Sequence, residues 1–282
     1  MDYKKVNEDF YSKGYWGIDR SKNKWFSKYV KARVIGKMID GKKGVLYDAG
    51  GGVGNWAWYF KNGFEKIIVS DISKKSLEKI PEKEIIKIEC SVLKNKLKDK
   101  SVDVVLLIDV FEHIQKNDLT EMMSDLRRIL KDDGIIVIYT GYYGYGYGII
   151  WQRVFHPERR LLFGEENEGH VNRLNFREYL DLFEKSGLKI KSYYFYSVIF
   201  QQMTDKIKDV FARVGSKISG RGKVDAELGR AGQSIKEEFR EKEEKPLFKL
   251  IFKILSKISY LDIYLGKIIS GNSIFICLEK KV

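Results

Sequence analysis

Between Gly44 and Leu188, short apolar runs alternate with segments of helical pattern, and this alternation restricts the chain to a parallel sheet covered by helices. The runs are nearly continuous and rich in Val and Ile, as expected for strands buried on both faces. The predicted strands are Val45–Ala49, Ile67–Asp71, Ile85–Glu89, Val102–Ile108 and Ile135–Thr140. The predicted helices between and after them are Trp56–Lys61, Lys74–Ile80, Leu119–Leu130 and Phe176–Ser186, with Asp132–Gly134 stopping the third.

Two further strands are predicted after this block, at Ile190–Phe200 and Ser273–Leu278. The result is an α/β fold with a mostly parallel, seven-stranded sheet and helices on both faces. We predict four segments along the chain. They are a helical cap at 1–40, the sheet core at 41–200, a mobile segment with an amphipathic helical insertion at 201–270, and the last strand of the core at 271–282.

The first predicted strand leads into a glycine-rich turn, in which Gly50, Gly52 and Gly54 occur at every second position. Glycine adopts positive φ and lets a ligand approach the backbone closely. The backbone amides of the helix that follows favour a negatively charged group. A tight strand-to-helix turn without a ligand would need the same glycines, so the segment by itself leaves both interpretations open.

Acidic residues end two further strands. Asp71 ends the second strand about 20 residues after the glycine turn, where a carboxylate can accept both hydroxyls of a ribose. It could instead begin the next helix, although Ser73 can serve as that cap. The apolar strand Val102–Ile108 ends in Asp109, and polar groups at such a strand end face the ligand cleft of an open parallel sheet.

These segments, in their order and spacing, resemble the motifs of class I methyltransferases that depend on S-adenosylmethionine (SAM). They are Asp48-x-Gly50-x-Gly52-x-Gly54, Asp71, Asp109-Val110-Phe111-Glu112-His113-Ile114 and Leu130–Gly134. The chain is most similar to the group that includes quinone and small-molecule O-methyltransferases, whose His-Val-x-x-Phe-Ser run resembles the segment 169–176. The resemblance covers about Gly44 to Leu188 and implies a Rossmann-like class I fold, SAM as the cofactor and S-adenosylhomocysteine as its product.

The resemblance also implies a set of cofactor-binding residues: Asp48, Gly50, Gly52, Gly54, Asp71, Ile72, Ser91, Val92, Asp109 and Val110. The glycines would approach the methionine part of SAM while Asp48 anchors the turn. Asp71 would bind the ribose, Ile72 would pack on the adenine, and Asp109 with Val110 would line the floor below the methyl group. Relatives often carry an acid beside the adenine amino group, but this chain has Cys90-Ser91-Val92 there, so Ser91 would supply that hydrogen bond.

Transfer to a hydroxyl acceptor requires a base, which histidine can supply near neutral pH. The chain has three histidines. The resemblance places His170 near the pocket mouth, so it is the candidate base, with a structural role equally open. His113 is interpreted as a structural partner of Glu112, and His156 lies in a predicted loop without an assigned role. The residues indicate no metal site.

The fifth strand is followed by alternating Gly and Tyr at 141–148. Such a segment combines a pliable backbone with flat aromatic rings, which suits a lid over an acceptor. The alternative is an ordered loop whose tyrosines pack on the domain. The candidate acceptor-binding residues are Tyr142, Tyr143, Tyr145, Tyr147 and Arg153.

Charge and cysteine content restrict the environment and partners. The two cysteines lie in apolar runs, and the first residues lack the apolar stretch of a signal peptide, which predicts a cytoplasmic protein. The net charge of +13 is compatible with nucleic acid, anionic lipid or a phosphorylated metabolite, and equally with a lysine-rich composition without a binding role.

The segment 246–258 is apolar except for Ser256 and for Lys249, Lys253 and Lys257, which are four residues apart and share one helical face. Such a helix lies in an anionic membrane interface, which would make the protein peripheral to the membrane, or packs on the domain with its lysines in water.

The function predicted from these observations is methyl transfer from SAM to a small or lipid-linked acceptor, at oxygen. An RNA methyltransferase is an alternative suggested by the charge, but the Asn/Asp-Pro-Pro-aromatic run of base-amine methyltransferases is missing after the fourth strand. A non-catalytic, SAM-binding regulatory protein is a third hypothesis.

Overall fold

The computed structural model describes residues 26–142, 150–151, 154–155, 171–172, 174–207 and 246–281. Within them, seven strands form one sheet in the order β3-β2-β1-β4-β5-β7-β6, in which β7 is antiparallel to both of its neighbours. The strands are β1 Val45–Ala49, β2 Lys66–Asp71, β3 Ile85–Glu89, β4 Val102–Ile108, β5 Leu130–Gly141, β6 Leu188–Tyr196 and β7 Ser273–Lys280. The predicted mostly parallel, seven-stranded sheet is confirmed.

Helices cover both faces of this sheet. They are α1 Phe26–Met38, α2 Asn55–Phe60, α3 Lys74–Glu78, α4 Leu119–Ile129, α5 Phe176–Lys185, α6 Pro246–Tyr260 and α7 Asp262–Leu265. Short 3₁₀ turns lie at Lys61–Gly63, Phe111–His113 and Lys116–Asp118, and residues 200–207 are also helical. Apolar side chains of α4 and α5 fill the core on one face, and those of α1, α2 and α3 fill the core on the other.

Two predicted boundaries were wrong by four residues or more. Asp132–Gly134 do not stop a helix in a turn, because α4 ends at Ile129 and the chain enters β5 directly. Leu130 has extended backbone and pairs with Val102 of β4, so strand β5 begins at Leu130 and includes Asp132–Gly134. The sixth strand ends at Tyr196 and not at Phe200, because Ser197 has φ of 60° and the chain then turns into the helix at 200–207.

The strand order determines where a ligand can bind. From β1 the chain proceeds outward through β2 to β3, and then returns to place β4 on the other side of β1. The order therefore reverses between β1 and β4, and such a reversal opens a crevice at the carboxyl ends of the strands. The glycine turn follows β1 and Asp109 follows β4, so both lie at this edge.

The segment before the last strand is held to the core by one buried carboxylate. Asp262, at the start of α7, is fully buried and accepts hydrogen bonds from four consecutive backbone amides. The donors are Val198 (3.0 Å), Ile199 (3.1 Å), Phe200 (2.8 Å) and Gln201 (2.9 Å). These amides begin the helix at 200–207, so Asp262 satisfies donors that have no partner within that helix.

Helix α6 packs on α1. The ring of Tyr260 lies 4.8 Å from the guanidinium of Arg33 and 5.4 Å from the amine of Lys37, measured to the ring centroid. Among the described residues, no helix combines the length and the apolar character needed to cross a membrane. The division into four segments at 40, 200 and 270 stays a prediction.

Candidate functional site

The turn after β1 has the backbone that the glycine spacing predicts. Gly50, Gly52 and Gly54 have φ values of 72°, 55° and 69°, a region that side chains other than glycine rarely adopt. A Cβ atom added to Gly52 would meet nothing closer than the Asp71 carboxylate, 3.9 Å away. Gly52 therefore borders open space beside a carboxylate, which leaves room for a ligand to approach the backbone.

A fourth glycine of the turn, Gly51, has a different role that the sequence reasoning missed. A Cβ atom at Gly51 would lie 2.6 Å from the carboxylate of Asp48, too close for any side chain. Asp48 is buried and accepts a hydrogen bond from the backbone amide of Ala57 in α2 (3.1 Å). Asp48 therefore contacts the turn at Gly51 and holds the start of α2 through Ala57. Three consecutive glycines were the available signal for Gly51.

Burial raises the pKa of the Asp48 carboxyl to about 7, against the opposing effect of the Ala57 amide. Native Asp48 therefore holds a proton between about pH 4 and 7 while the unfolded chain has lost it. Because stability rises with pH only where the unfolded state binds more protons, this group makes the protein more stable as the pH falls through that window.

Replacing Asp48 with asparagine is expected to remove this gain while keeping an acceptor for Ala57. Relative to the variant, the free energy of unfolding of the original chain should increase by roughly 2–4 kcal/mol between about pH 7.5 and 4. Urea unfolding at several pH values measures it, with the exposed Asp181→Asn as the control. A difference that stays constant with pH would show that Asp48 is ionised in the native protein.

Asp71 lies at the end of β2 and is 9% exposed. Its Oδ2 accepts the amide of Gly52 (2.9 Å) and its Oδ1 accepts the amide of Ser73 (2.8 Å). Ser73, and not Asp71, caps α3, because its hydroxyl accepts the amide of Ser76. The carboxylate therefore joins the glycine turn to the end of β2, and each oxygen keeps a lone pair for a further donor.

The predicted adenine contacts lie on the β2–β3 side of the turn. Ile72 follows Asp71 and is half-buried, whereas Val92 is buried and belongs to the core. The Ser91 hydroxyl accepts the amide of Leu93 (3.2 Å), which leaves its own proton free to donate. Their contact with a cofactor stays a prediction.

Asp109 begins the turn after β4 with φ of 56°, and 47% of its side chain is exposed. Its Oδ2 lies 2.6 Å from the amine of Lys31, which belongs to α1 and is 78 residues away in the chain. The same amine lies 3.9 Å from the centroid of the Tyr139 ring. Burial lowers the pKa of Lys31, but the combined effect of Asp109, Tyr139 and Glu112 raises it above its ordinary value. Val110 follows, half-buried.

Glu112 is the second acid in this turn and is buried. Its Oε2 accepts a hydrogen bond from the Thr140 hydroxyl (2.8 Å), at the end of β5. Burial, followed by the charge of Asp109, raises the pKa of the Glu112 carboxyl. The predicted partnership with His113 stays a prediction.

Part of the predicted acceptor site can be placed. The structure puts Tyr142 in the core and not in the cleft, which corrects its assignment as a lid residue: its ring is buried and lies 4.8 Å from that of Phe195, and its amide donates to Asn272 O. The other candidates lie outside the described residues, and they are Tyr143, Tyr145, Tyr147, Arg153 and His170.

The two residues after His170 are tied to the turn that follows β4. The amide of Val171 donates to Glu112 O (2.9 Å), and the Asn172 side chain donates to the carbonyls of Phe111 and Ile114 (2.7 Å each). These bonds bring the start of the segment after 170 beside Asp109 and Glu112. Within the described ranges, no group of three His, Cys, Asp or Glu could hold a metal ion.

The sheet order, the glycine turn after β1 and the acids at the ends of β2 and β4 are features of the class I methyltransferase fold. Residues 47–138 match the family model described as "Methyltransferase domain". This match shows a methyltransferase domain at residues 47–138, and the fold around it is that of class I methyltransferases.

Solved structures share the fold at low sequence identity. Geranyl diphosphate C-methyltransferase from Streptomyces coelicolor A3(2) is 12% identical, with 99% of each chain covered and a TM-score of 0.58. Phosphoethanolamine N-methyltransferase 2 from Haemonchus contortus is 15% identical, with 89% of this chain and 52% of that chain covered and a TM-score of 0.57. No curated protein matches the chain.

Proposed function

We propose that the protein transfers the methyl group of SAM to an oxygen atom of a small or lipid-linked acceptor, with His170 as the base. The observation that carries the proposal is the cradle formed by Gly52 and Asp71. Backbone with positive φ borders open space there, beside a carboxylate that can accept further hydrogen bonds. A ribose diol, with two neighbouring donors, is suited to that carboxylate.

The charges of the site suit the rest of the cofactor. SAM carries a cationic sulfonium and a cationic amine, which require anionic neighbours. Asp109 presents a half-exposed carboxylate at the end of β4, and its contact with the Lys31 amine illustrates that this carboxylate can hold a cationic nitrogen. Asp71 and Asp109 follow β2 and β4, the strands on either side of β1, so the two acids border the glycine turn from both sides.

Bound SAM supplies an electrophilic methyl group that is displaced in line by the acceptor, so the protein's main tasks are to position the acceptor and exclude water. The apolar strand ends and Val110 would form the floor of that site. His170 would take the acceptor's proton, and the bonds of Val171 and Asn172 to the turn at 111–114 support its placement beside the cleft.

The relatives in fold are described as acting on a prenyl diphosphate at carbon and on phosphoethanolamine at nitrogen. A lipid-like acceptor is thus compatible with this fold, and the oxygen target of our proposal rests on the resemblance stated for the sequence. The acceptor class has to be determined by experiment.

Calorimetric titration with SAM and S-adenosylhomocysteine is the first test, and we expect dissociation constants in the micromolar range. Transfer of labelled methyl from SAM into lipid and aqueous extracts then separates acceptor classes. Release of the label by alkali identifies a methyl ester, and the chemical shift of a carbon-13 methyl group in an alkali-stable product distinguishes oxygen from carbon and nitrogen targets. His170→Gln should lower the transfer rate without changing SAM affinity. Absence of SAM binding would refute the proposal, and tight binding without transfer to any fraction would favour the regulatory alternative.

A further inference from the structure

Helix α6 and the residues after it expose an unusual amount of apolar surface. Among the described residues, ten large hydrophobic side chains are exposed, and five of them lie between positions 250 and 268. We call these five side chains the docking face. They are Leu250, Ile254, Leu261, Tyr264 and Ile268. Ile268 is 84% exposed and Tyr264 is 58% exposed, so this surface is not the partly covered rim of a core.

Two of these side chains belong to α6, and the other three belong to the residues that follow it. Leu250 and Ile254 are four residues apart in α6 and share one helical face, and Leu261 follows directly after the last residue of that helix. The opposite face of α6 carries the buried side chains of Leu255, Ser256 and Ser259. The sequence left open whether this helix packs on the domain or lies in a membrane interface. In the structure, α6 packs on the domain with one side and keeps an apolar side in solvent.

Basic side chains lie among the apolar ones. Lys253 and Lys257 are exposed on the docking face side of α6, and Lys267 is exposed beside Ile268. Neither Lys253 nor Lys257 forms an ion pair with any residue that the structure describes. From 246 to 272 the chain has four lysines and a single acid, Asp262, whose carboxylate is buried. The surface is therefore apolar and positively charged, with no compensating acid among its exposed residues.

We infer that the docking face binds an anionic lipid bilayer. An exposed apolar stripe flanked by lysines buries its apolar side chains at the level of the lipid headgroups while the amines contact anionic phosphates. Helix α6 has 15 residues and is about 22 Å long, shorter than the hydrocarbon core of a bilayer, so it would lie in the interface and not span it. A second protein chain would be expected to cover such a surface with fewer unpaired lysines.

The docking face is one helix away from the methyl-transfer site. Tyr260 of α6 contacts Arg33 and Lys37 of α1, and Lys31 of the same α1 holds Asp109. A bilayer bound to α6 would thus lie next to the helix that borders the cleft. Membrane binding would place a lipid-linked acceptor beside the site that uses it, and this part of the inference rests on the proposed function.

The test is co-sedimentation of the full chain with vesicles of phosphatidylcholine and with vesicles of equal parts phosphatidylcholine and phosphatidylglycerol. We expect binding to the anionic vesicles that weakens with salt. The pair Lys253→Glu and Lys257→Glu should lower the partition coefficient about tenfold or more. The matched control is Lys94→Glu with Lys98→Glu, an equal charge change at equal spacing on exposed residues elsewhere.

Apolar contacts are tested by Ile254→Ser with Ile268→Ser, against Ile86→Ser with Leu180→Ser as control. No sedimentation of the original chain with anionic vesicles would overturn the inference, as would equal losses in the test and control pairs. Concentration-dependent dimers that the Ile254/Ile268 pair abolishes, without vesicle binding, would assign the face to a second copy and also overturn it. Calorimetry with SAM on the same proteins separates the two proposals, because SAM binding does not depend on the docking face.

Discussion

Replacing Asp71 with alanine is expected to weaken SAM binding about a hundredfold. The Asp71 carboxylate is the group suited to the ribose diol, and each hydrogen bond from a hydroxyl to a carboxylate contributes about 1.5 kcal/mol. Loss of two such bonds lowers the binding free energy by about 3 kcal/mol. This loss corresponds to the stated increase of about a hundredfold in the dissociation constant. Calorimetric titration of the original and variant proteins with SAM measures it directly.

The same carboxylate also accepts the amides of Gly52 and Ser73, so Asp71→Ala should lower the melting temperature as well. Binding must therefore be measured well below the melting temperature of the variant. Asp71→Asn keeps an acceptor oxygen and should bind SAM with an intermediate affinity. Glu121→Ala, an exposed acid at the start of α4, is the control for charge. If Asp71→Ala bound SAM within about twofold of the original chain, the carboxylate would be a purely structural part of the turn.

Replacing Asp262 with alanine is expected to lower the free energy of unfolding by about 4 kcal/mol. The change would leave four backbone amides, from Val198 to Gln201, two of them buried, without their acceptor. It would also release α7 from the start of the helix at 200–207, so hydrogen exchange at these amides should become faster. Urea unfolding and exchange measurements together report the global and the local effect.

Asp262→Asn offers a graded comparison, because one oxygen can still accept while the new amide group faces donors. Its loss should fall between those of the alanine variant and the original chain. Asp181→Ala removes an exposed carboxylate from α5 and should change stability by less than about 0.5 kcal/mol. A loss below about 1 kcal/mol in Asp262→Ala would mean that water replaces the carboxylate at little cost.

The sequence was sufficient for the elements whose signal is local. Strands β1 and β4 have the bounds predicted from their apolar runs, because a strand buried on both faces must be apolar at nearly every position. Strand β3 also has its predicted bounds, although it lies at the edge of the sheet and is largely exposed. The glycine turn was likewise readable from its spacing, since positive φ at Gly50, Gly52 and Gly54 is a property of each residue's own backbone.

Element ends were less accurate where tertiary pairing decided them. The sequence pattern predicts Leu130 as the last residue of a helix, yet it pairs with Val102 and begins β5. Tyr142 belongs to a Gly-Tyr repeat that suggests a lid, yet its ring is buried against Phe195. In both cases the competing strand or ring comes from a distant part of the chain and leaves no periodic pattern nearby.

The sequence by itself thus determined the order of strands and helices, the glycine turn and the acids that follow β2 and β4, because these depend on local periodicity and backbone preference. The tertiary structure decided which side chains meet. Lys31 reaches Asp109 across 78 residues, and Asp262 reaches the amides of 198–201 across more than 60. A lysine on a helix and an acid in a loop have no local signature of pairing, since only the packing of α1 and α7 on the sheet brings their charges to their partners.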